Sequence, residues 1–451
     1  MAEHTRPMLR NDVFLVQGAL RGAIYDLRTE NVYSINAAGC QTLNHQRDDA
    51  AYWDQLISLD LAEWGNAEQD SAGLASLPSI PSRLEFIWFE ITPLCNQRCL
   101  HCYAESGSAS QHECAAAVRS AASAESDRLT YQDWLRLIAE GYSLGCREGQ
   151  FIGGEPAMYH GENQETVIDL AKHAKRTGYE FVEIFTNATL LTEKDLREIK
   201  DLGVHIAVSI YSHSESIHDF VTQTAGSHYR VTQTLERLQE LNIPTRIATI
   251  LMRANQDTIE KTCEWISCLG FRRPKVDTVR PTGRGSDIEI APTDEIYRQY
   301  AVATRPDFKA RRRTVCRSLH ENSCLSGKIT IVDSGVVLPC IFGRTWEVGN
   351  VHQSSLTSII SGDPLQRLWH FTKDQVLVCR DCEYRYVCGD CRPLAHTVSK
   401  HLEAPSPRCA YNPYTGEWGE GVWRLDQSGK PVYVYESSPE KSRNYETQRA
   451  M

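Results

Sequence analysis

No apolar run in this sequence approaches the roughly 18 residues that a membrane-spanning helix needs. The N-terminus, Met1-Ala2-Glu3-His4-Thr5-Arg6, lacks the basic start, apolar stretch and small-residue cleavage site of a secretory signal. The expectation is a cytoplasmic protein with no membrane partner. Concentrated positive charge is also missing. The formal net charge is -10, and a phosphate backbone is bound through a dense basic surface, so no nucleic-acid partner is expected. The basic run from Lys309 to Arg313 is short and reads as a solvated loop. Hydrophobic residues make up 41% and charged residues 24% of the 451, a profile that excludes a disordered chain and leaves room for two or three packed domains.

What the sequence has in quantity is cysteine, sixteen in all. Without an export signal, a reducing compartment disfavours a disulfide framework, so dense cysteines point to metal or redox chemistry. Eleven fall into spacings that suit clusters. The other five, Cys40, Cys114, Cys146, Cys263 and Cys268, are scattered and read as buried structural thiols.

Residues 1–80 read as a small α+β unit. Val13–Val16, Ala23–Leu27 and Val32–Ile35 look like strands, with helical stretches following through Trp53–Leu56. Ser71–Pro81, rich in Ser, Gly and Pro, reads as a linker. From Leu84 strands and helices alternate. Strands are expected at Leu84–Ile91, Gln150–Ile152, Phe181–Phe185, His205–Tyr211, Thr245–Leu251 and Lys275–Val279. Helices are expected at Tyr131–Leu144, Thr166–Lys175, Glu193–Leu202, Tyr229–Leu241 and Asp257–Cys268. Such alternation implies a parallel sheet. Six strands are too few for an eight-stranded barrel, so the expected fold is α/β, a partial (β/α)6 TIM-like barrel over 84–305. Residues 104–128 read as a mobile insertion. Beyond about residue 310 helical periodicity fades and cysteines crowd in, which suggests a small domain at 310–415 organised by metal. A tail at 416–451 follows, polar and frayed past about residue 435.

Cys95-Asn96-Gln97-Arg98-Cys99-Leu100-His101-Cys102 follows the first barrel strand. Three thiolates in eight residues of loop can hold three irons of a cubane cluster, leaving the fourth iron open to chelate a ligand. A structural zinc site would want a fourth Cys or His nearby, for which His101 and His112 are available. One strand later comes Gly153-Gly154-Glu155-Pro156. Its glycines allow close approach of backbone to a ligand, and its carboxylate and carbonyls can accept from an ammonium group.

With these two motifs at successive strand ends, residues 84 to about 285 resemble the radical S-adenosylmethionine (SAM) superfamily core. The resemblance implies a 4Fe-4S cluster on Cys95, Cys99 and Cys102 that cleaves SAM to a 5'-deoxyadenosyl radical. It implies SAM contacts from Gly153, Gly154, Glu155 and Pro156 to the methionyl amino group, from His101 near adenine, and from Thr186, Asn187 and Ser209 at later strand ends. Arg280-Pro281-Thr282-Gly283-Arg284-Gly285 resembles the turn after the last strand. Some relatives carry an Arg shortly after the His218-Asp219 pair, where this chain has Phe220-Val221.

The remaining cysteines run Cys324, Cys340, then Cys379-x2-Cys382-x5-Cys388-x2-Cys391, then Cys409. This resembles the SPASM domain, which implies two auxiliary 4Fe-4S clusters and three clusters in total. The resemblance assigns one to Cys324, Cys340 and Cys391 with Cys316 as a fourth ligand, and the other to Cys379, Cys382, Cys388 and Cys409. The last interval inside the run is two residues where three is usual, and Gly389-Asp390 can still turn the chain. Two structural zinc sites are the alternative for these thiolates.

The first 80 residues resemble the winged-helix RiPP recognition element of ribosomal-peptide maturases, which implies leader-peptide binding by strand addition. Cys409–Trp418 resembles the end of SPASM peptide maturases. Together these imply an enzyme that modifies a ribosomally made precursor peptide by crosslinking, epimerisation or oxidation, reduced by an external donor such as flavodoxin or ferredoxin. The alternatives are a formylglycine-forming, sulfatase-maturing oxidase and a non-catalytic zinc-containing peptide binder. No catalytic acid or base stands out from the sequence.

Overall fold

A computed structural model describes residues 5–66, 73–108 and 128–435. By internal packing the chain divides into two units. One comprises 1–82, 302–326 and 369–437; the other comprises 83–301, 327–368 and 438–451.

In the first unit β1 (Thr5–Leu9) pairs antiparallel with β5 (Ala62–Asn66), and β2 (Val13–Gln17), β3 (Gly22–Asp26) and β4 (Asn31–Ile35) form an antiparallel meander. The meander and the two helices after it, Ala37–Leu43 and Ala50–Ser58, match the sequence reading, and β1 and β5 add to it. Asn36 and Asp49 start these helices by accepting from the backbone amides of Gly39 and Tyr52. Every residue of β3 is buried. Side chains alternate across a strand, and here both faces are covered. Ala23 and Tyr25 pack with Phe14, Val16, Leu77, Ala310, Val315 and Tyr386, while Ile24 packs with Val13, Ile35, Leu43, Trp53 and Leu56. The first of these cores draws on residues some 300 positions apart, so the front segment shares a core with the cysteine-rich one. Leu77, within the expected linker, is part of that core. Residues 422–425 and 431–434 form a further hairpin with Trp423 buried.

The second unit is built on a nine-stranded sheet of order β11-β10-β9-β8-β7-β6-β12-β13-β14. Its strands are β6 (Phe86–Glu90), β7 (Glu148–Ile152), β8 (Phe181–Thr186), β9 (His205–Ser209), β10 (Thr245–Leu251), β11 (Val276–Thr278), β12 (Lys328–Val332), β13 (Val336–Leu338) and β14 (Gly349–Asn350). The six expected strands are all present and parallel, and β10 coincides with its expected range residue for residue. The crossover helices start with one repeated device. Thr130/Asp133, Thr166/Asp169 and Thr192/Asp195 each form a capping box. Gly178 and Gly203, both at positive φ, end two of the helices.

Three features differ from the sequence reading. β12 joins β6 in parallel, extending the sheet, and β13 and β14 continue it antiparallel. Its strand Ile329–Ile331 is fully buried, as a strand covered on both faces must be. Glu215–Thr222 is a separate helix before Ser227–Glu240, because Asp219 turns the chain and caps the second helix. Helices also persist past residue 310, at Arg312–His320 and Arg392–Ser399 among others. Of the scattered cysteines, Cys40, Cys146 and Cys263 are buried and Cys268 is exposed on the outer face of its helix. Cys114 and most of the expected insertion lie outside the described residues, as does the tail past 435.

Candidate active site

The loop leaving β6 carries Cys95, Cys99 and Cys102, and all three line one cavity in the second unit. With them stand Gln97, His101, Tyr103, Ser106, Gly153, Gly154, Thr186, Asn187, Ser209, Tyr211, Arg280 and Arg284. The cavity holds about 1100 Å³ of atom-free space, part of it open to solvent. Of the residues expected to meet SAM, His101, Gly153, Gly154, Asn187 and Ser209 therefore come together. Glu155 and Pro156 do not line the cavity.

Backbone contact explains the two glycines. Gly154 N donates to Thr92 O and Glu155 N to Leu94 O, each at 2.7 Å. A Cβ on Gly154 would lie 2.1 Å from Leu94 O, and one on Gly153 2.4 Å from Thr92 O. The turn after β7 is thereby laid directly on the loop that delivers Cys95. Glu155, fully buried, works sideways. Its carboxylate accepts from Thr186 Oγ1 at 2.6 Å, Asn187 N at 2.7 Å and Ala157 N at 3.0 Å. Burial raises its pKa, and these donors oppose the rise. Glu155 thus fixes the end of β8 so that Asn187 reaches the cysteine loop, where Asn187 Nδ2 donates to Asn96 Oδ1 at 2.8 Å.

Arg284 is a positioning residue that the sequence marked only as part of a turn. Its Nε donates to Cys99 O and its Nη2 to Ser106 O, both at 2.9 Å. Gly283, at φ 59°, lets that turn sit against Cys102 O, which a Cβ there would meet at 2.6 Å. On the far side Arg98 N and Leu100 N donate to Thr222 O and Val221 O, so helix Glu215–Thr222 pins the loop. Tyr211 crosses the His101 ring edge-on at 4.8 Å, and its amide donates to His218 Nδ1.

These residues fit a cluster and SAM. Burial pushes the Cys95 thiol up to about 12 and shifts Cys99 the same way, with Arg284 opposing in part. Taking up iron would therefore release their protons. His101 Nδ1 and Ser106 Oγ are buried and have no hydrogen-bond partner, the state of groups awaiting a polar ligand. The glycines leave backbone open where a side chain cannot fit. Bound here, the cluster and SAM would supply the electron and the 5'-deoxyadenosyl group. The protein holds and orients them.

The first unit gathers a second set. Cys409 is pushed up to about 12 by burial, then by Cys388 and Cys379. Cys382 is raised by burial, with Cys379 and Cys409 contributing. Cys379 thus lies within electrostatic reach of the other three thiols. Two buried cations that the sequence did not mark accompany them. Lys373 donates to Gly389 O at 2.9 Å and is acted on by Cys388 and Cys379. Arg392, wholly buried, donates to Leu402 O, Ala404 O and Asp390 Oδ1. Nothing near residue 373 in sequence signals this, because its role depends on a fold that returns residues 388–389 to it. Val378, just before Cys379, sits at φ 68°, a conformation costly for a β-branched residue and typical of functional turns. Cys316 lies on helix Arg312–His320, buried beside Phe14, Val315 and Tyr386.

Residues 89–266 match the Radical SAM superfamily and residues 323–383 match SPASM, an iron-sulfur cluster-binding domain. This chain is a radical SAM/SPASM enzyme. Among curated relatives, the AdoMet-dependent heme synthase of Methanosarcina barkeri is 26% identical over 356 residues, 72% of this chain and 96% of that protein. The PqqA peptide cyclase of Granulibacter bethesdensis is 24% identical over 327 residues, 68% of this chain and 85% of that protein. Among solved structures, Streptococcus suis SuiB bound to SAM superposes with a TM-score of 0.51 at 13% identity. The match covers 88% of this chain and 98% of that one. Among the described residues of this radical SAM/SPASM enzyme, no helix is long and apolar enough to cross a membrane.

Proposed function

We propose that this enzyme modifies a ribosomally made precursor peptide, using a 5'-deoxyadenosyl radical to abstract hydrogen from a residue of the peptide's core. Crosslinking is the reaction class favoured, with epimerisation or oxidation as other outcomes of the same first step. The observation that carries the reading is the front segment. Its β2-β3-β4 meander with two following helices offers β4 as a sheet edge for an extended leader, and Tyr33 on β4 is partly exposed. PqqA peptide cyclase by its name acts on a peptide, and SuiB has been seen bound to a precursor peptide. We further propose three 4Fe-4S clusters, one on Cys95, Cys99 and Cys102, one on Cys379, Cys382, Cys388 and Cys409, and a third on cysteines outside those sets. An external one-electron carrier is the proposed reductant.

A second reading is favoured by the heme synthase relative, and would make the substrate a tetrapyrrole. One experiment separates the two. The anaerobically reconstituted enzyme is incubated with SAM, a reductant and either the short peptides encoded beside its gene or a porphyrin precursor. A peptide mass change coupled to 5'-deoxyadenosine supports the proposal. Turnover of the porphyrin alone would overturn it.

A further inference from the structure

Lysine is almost never buried unless something pairs with it. Lys373 is 7% exposed, while its neighbours Asp374 and Gln375 face solvent, so the short turn Lys373–Gln375 aims this one side chain inward. Its Nζ donates to Gly389 O at 2.9 Å, and Cys388 Sγ lies 3.3 Å from the same oxygen. One carbonyl thus brings the ammonium beside a sulfur, within direct electrostatic reach. A buried ammonium with a carbonyl as its sole counterpart would be costly, and an anionic group at Cys388 removes that cost.

We propose that Lys373 sets the reduction potential of the cluster on Cys379, Cys382, Cys388 and Cys409, its fixed charge beside Cys388 stabilising the reduced form. This rests on the reading that those four cysteines hold a 4Fe-4S cluster. A cluster that takes up one electron gains one negative charge. A cation beside a ligand sulfur therefore favours the reduced state and raises the potential. The acids of the same segment keep their charge without cancelling this one. Asp390 is matched by Arg392, accepting from its Nη2 and from Cys391 N at 2.8 Å each. Asp374 is matched by Arg385, accepting from its Nε at 2.9 Å and from Tyr386 Oη at 3.0 Å. Glu383 accepts from Tyr411 Oη, and its field falls on Cys382. The cationic end of the site is at Cys388 and Cys379, the two thiols on which Lys373 acts. Without the ammonium the cluster would be harder to reduce.

The test uses the full-length reconstituted chain with Cys95, Cys99 and Cys102 changed to Ala, so that the SAM-cleaving cluster gives no signal. Redox titration is followed by electron paramagnetic resonance, and the signal of this cluster is the one that Cys382→Ser removes. Lys373→Gln keeps a donor for Gly389 O and loses the charge. At the potential where half the parent's clusters are reduced, its reduced-to-oxidised ratio should be about tenfold lower, a shift of about 59 mV for one electron. Lys373→Arg keeps the charge and should stay near the parent's potential. A merely structural role would lower cluster content and leave the potential where it was. If Lys373→Gln holds no cluster, the parent chain with isotopically labelled lysine nitrogen decides. Its reduced cluster should show a hyperfine coupling to that nitrogen, lost in Lys373→Arg. An unmoved potential in Lys373→Gln, or no such coupling, would overturn the role of Lys373. If no signal depends on Cys382, the cluster assignment itself fails, and the role of Lys373 with it.

Discussion

Arg344 grips Glu90 through two contacts of 2.7 Å each, Nη1 to Oε2 and Nη2 to Oε1. Glu90 ends the first barrel strand and Arg344 lies between β13 and β14, so the pair ties the sheet extension to the strand that launches the cysteine loop. Arg344 also lies over the Tyr103 ring, Tyr103 meets Phe342, and Arg280 lies over Phe342, closing one wall of the cavity. Removing one partner of a buried bidentate pair leaves an uncompensated charge, at a cost of about 3 kcal/mol or more. Arg344→Met should therefore lower unfolding stability by that order. The double variant with Glu90→Gln should recover much of it, because no lone charge remains. Denaturant titration of the three proteins measures both. Equal loss in single and double variants would show that packing, and not charge, dominates.

Gly154 gives a sharper test of the site. An added methyl would have to displace Leu94, one residue before Cys95, and backbone cannot yield as a side-chain tip can. Gly154→Ala should weaken SAM binding by about tenfold or more, since a misplaced loop disturbs every group aligned on it. Equilibrium dialysis of SAM with the reconstituted protein checks this. Wild-type affinity would mean that the turn is not set by this contact.

His218 makes a pH prediction. Burial lowers its pKa to about 4, helped by nearby His228 and opposed by Asp219, so it stays neutral with Nδ1 accepting from Tyr211 N. The unfolded chain binds a proton at His218 below about 6.5, and the native state only below about 4. Stability contributed this way is complete above about pH 6.5 and is lost as pH falls toward 4. Between about pH 7.5 and 5 the loss is about 2 kcal/mol from this group. In His218→Asn, whose Oδ1 can replace the Nδ1 acceptor, that part of the pH dependence should vanish. Matching slopes in both proteins, compared by urea midpoints at the two pH values, would refute the assignment.

The barrel was legible because its signals are local. Period-two strands, T-x-x-D helix starts and glycine stops are written within a dozen residues, and the three cysteines and Gly153-Gly154 fall at strand ends by that grammar alone. What escaped depends on chain return. β12 is an apolar strand like any other, and only its pairing with β6, some 240 residues earlier, makes it part of the sheet. Arg344, Lys373 and Arg284 acquire meaning through distant carbonyls and carboxylates.

The front segment invites truncation, and the structure changes what truncation would show. Read as a linear series of domains, a protein starting at Arg83 would simply lose a leader-binding module. In the folded chain, removing residues 1–82 uncovers Ala310, Val315, Cys316 and Tyr386, which pack on Phe14, Val16, Ala23 and Tyr25. It also deletes the hydrogen bonds from Tyr25 Oη to Glu383 O and from Ala19 N to Asp381 O, both 2.7 Å and both flanking Cys382. Burying that much apolar surface is worth several kcal/mol, and a small metal-organised region has little other core on which to fall back. The truncated protein should therefore lose the cluster on Cys379, Cys382, Cys388 and Cys409 together with its leader binding. Its iron content should drop by about four atoms per chain or more, the content of one cubane, while the barrel unit keeps the Cys95, Cys99 and Cys102 cluster and still cleaves SAM. Tyr25→Phe, which deletes one of those bonds and leaves the β4 edge in place, should show a smaller effect of the same kind. It should lower the thermal resistance of the auxiliary clusters without weakening peptide binding. Full iron content in the truncated protein would mean that the shared core is dispensable, and that the front segment serves the peptide alone.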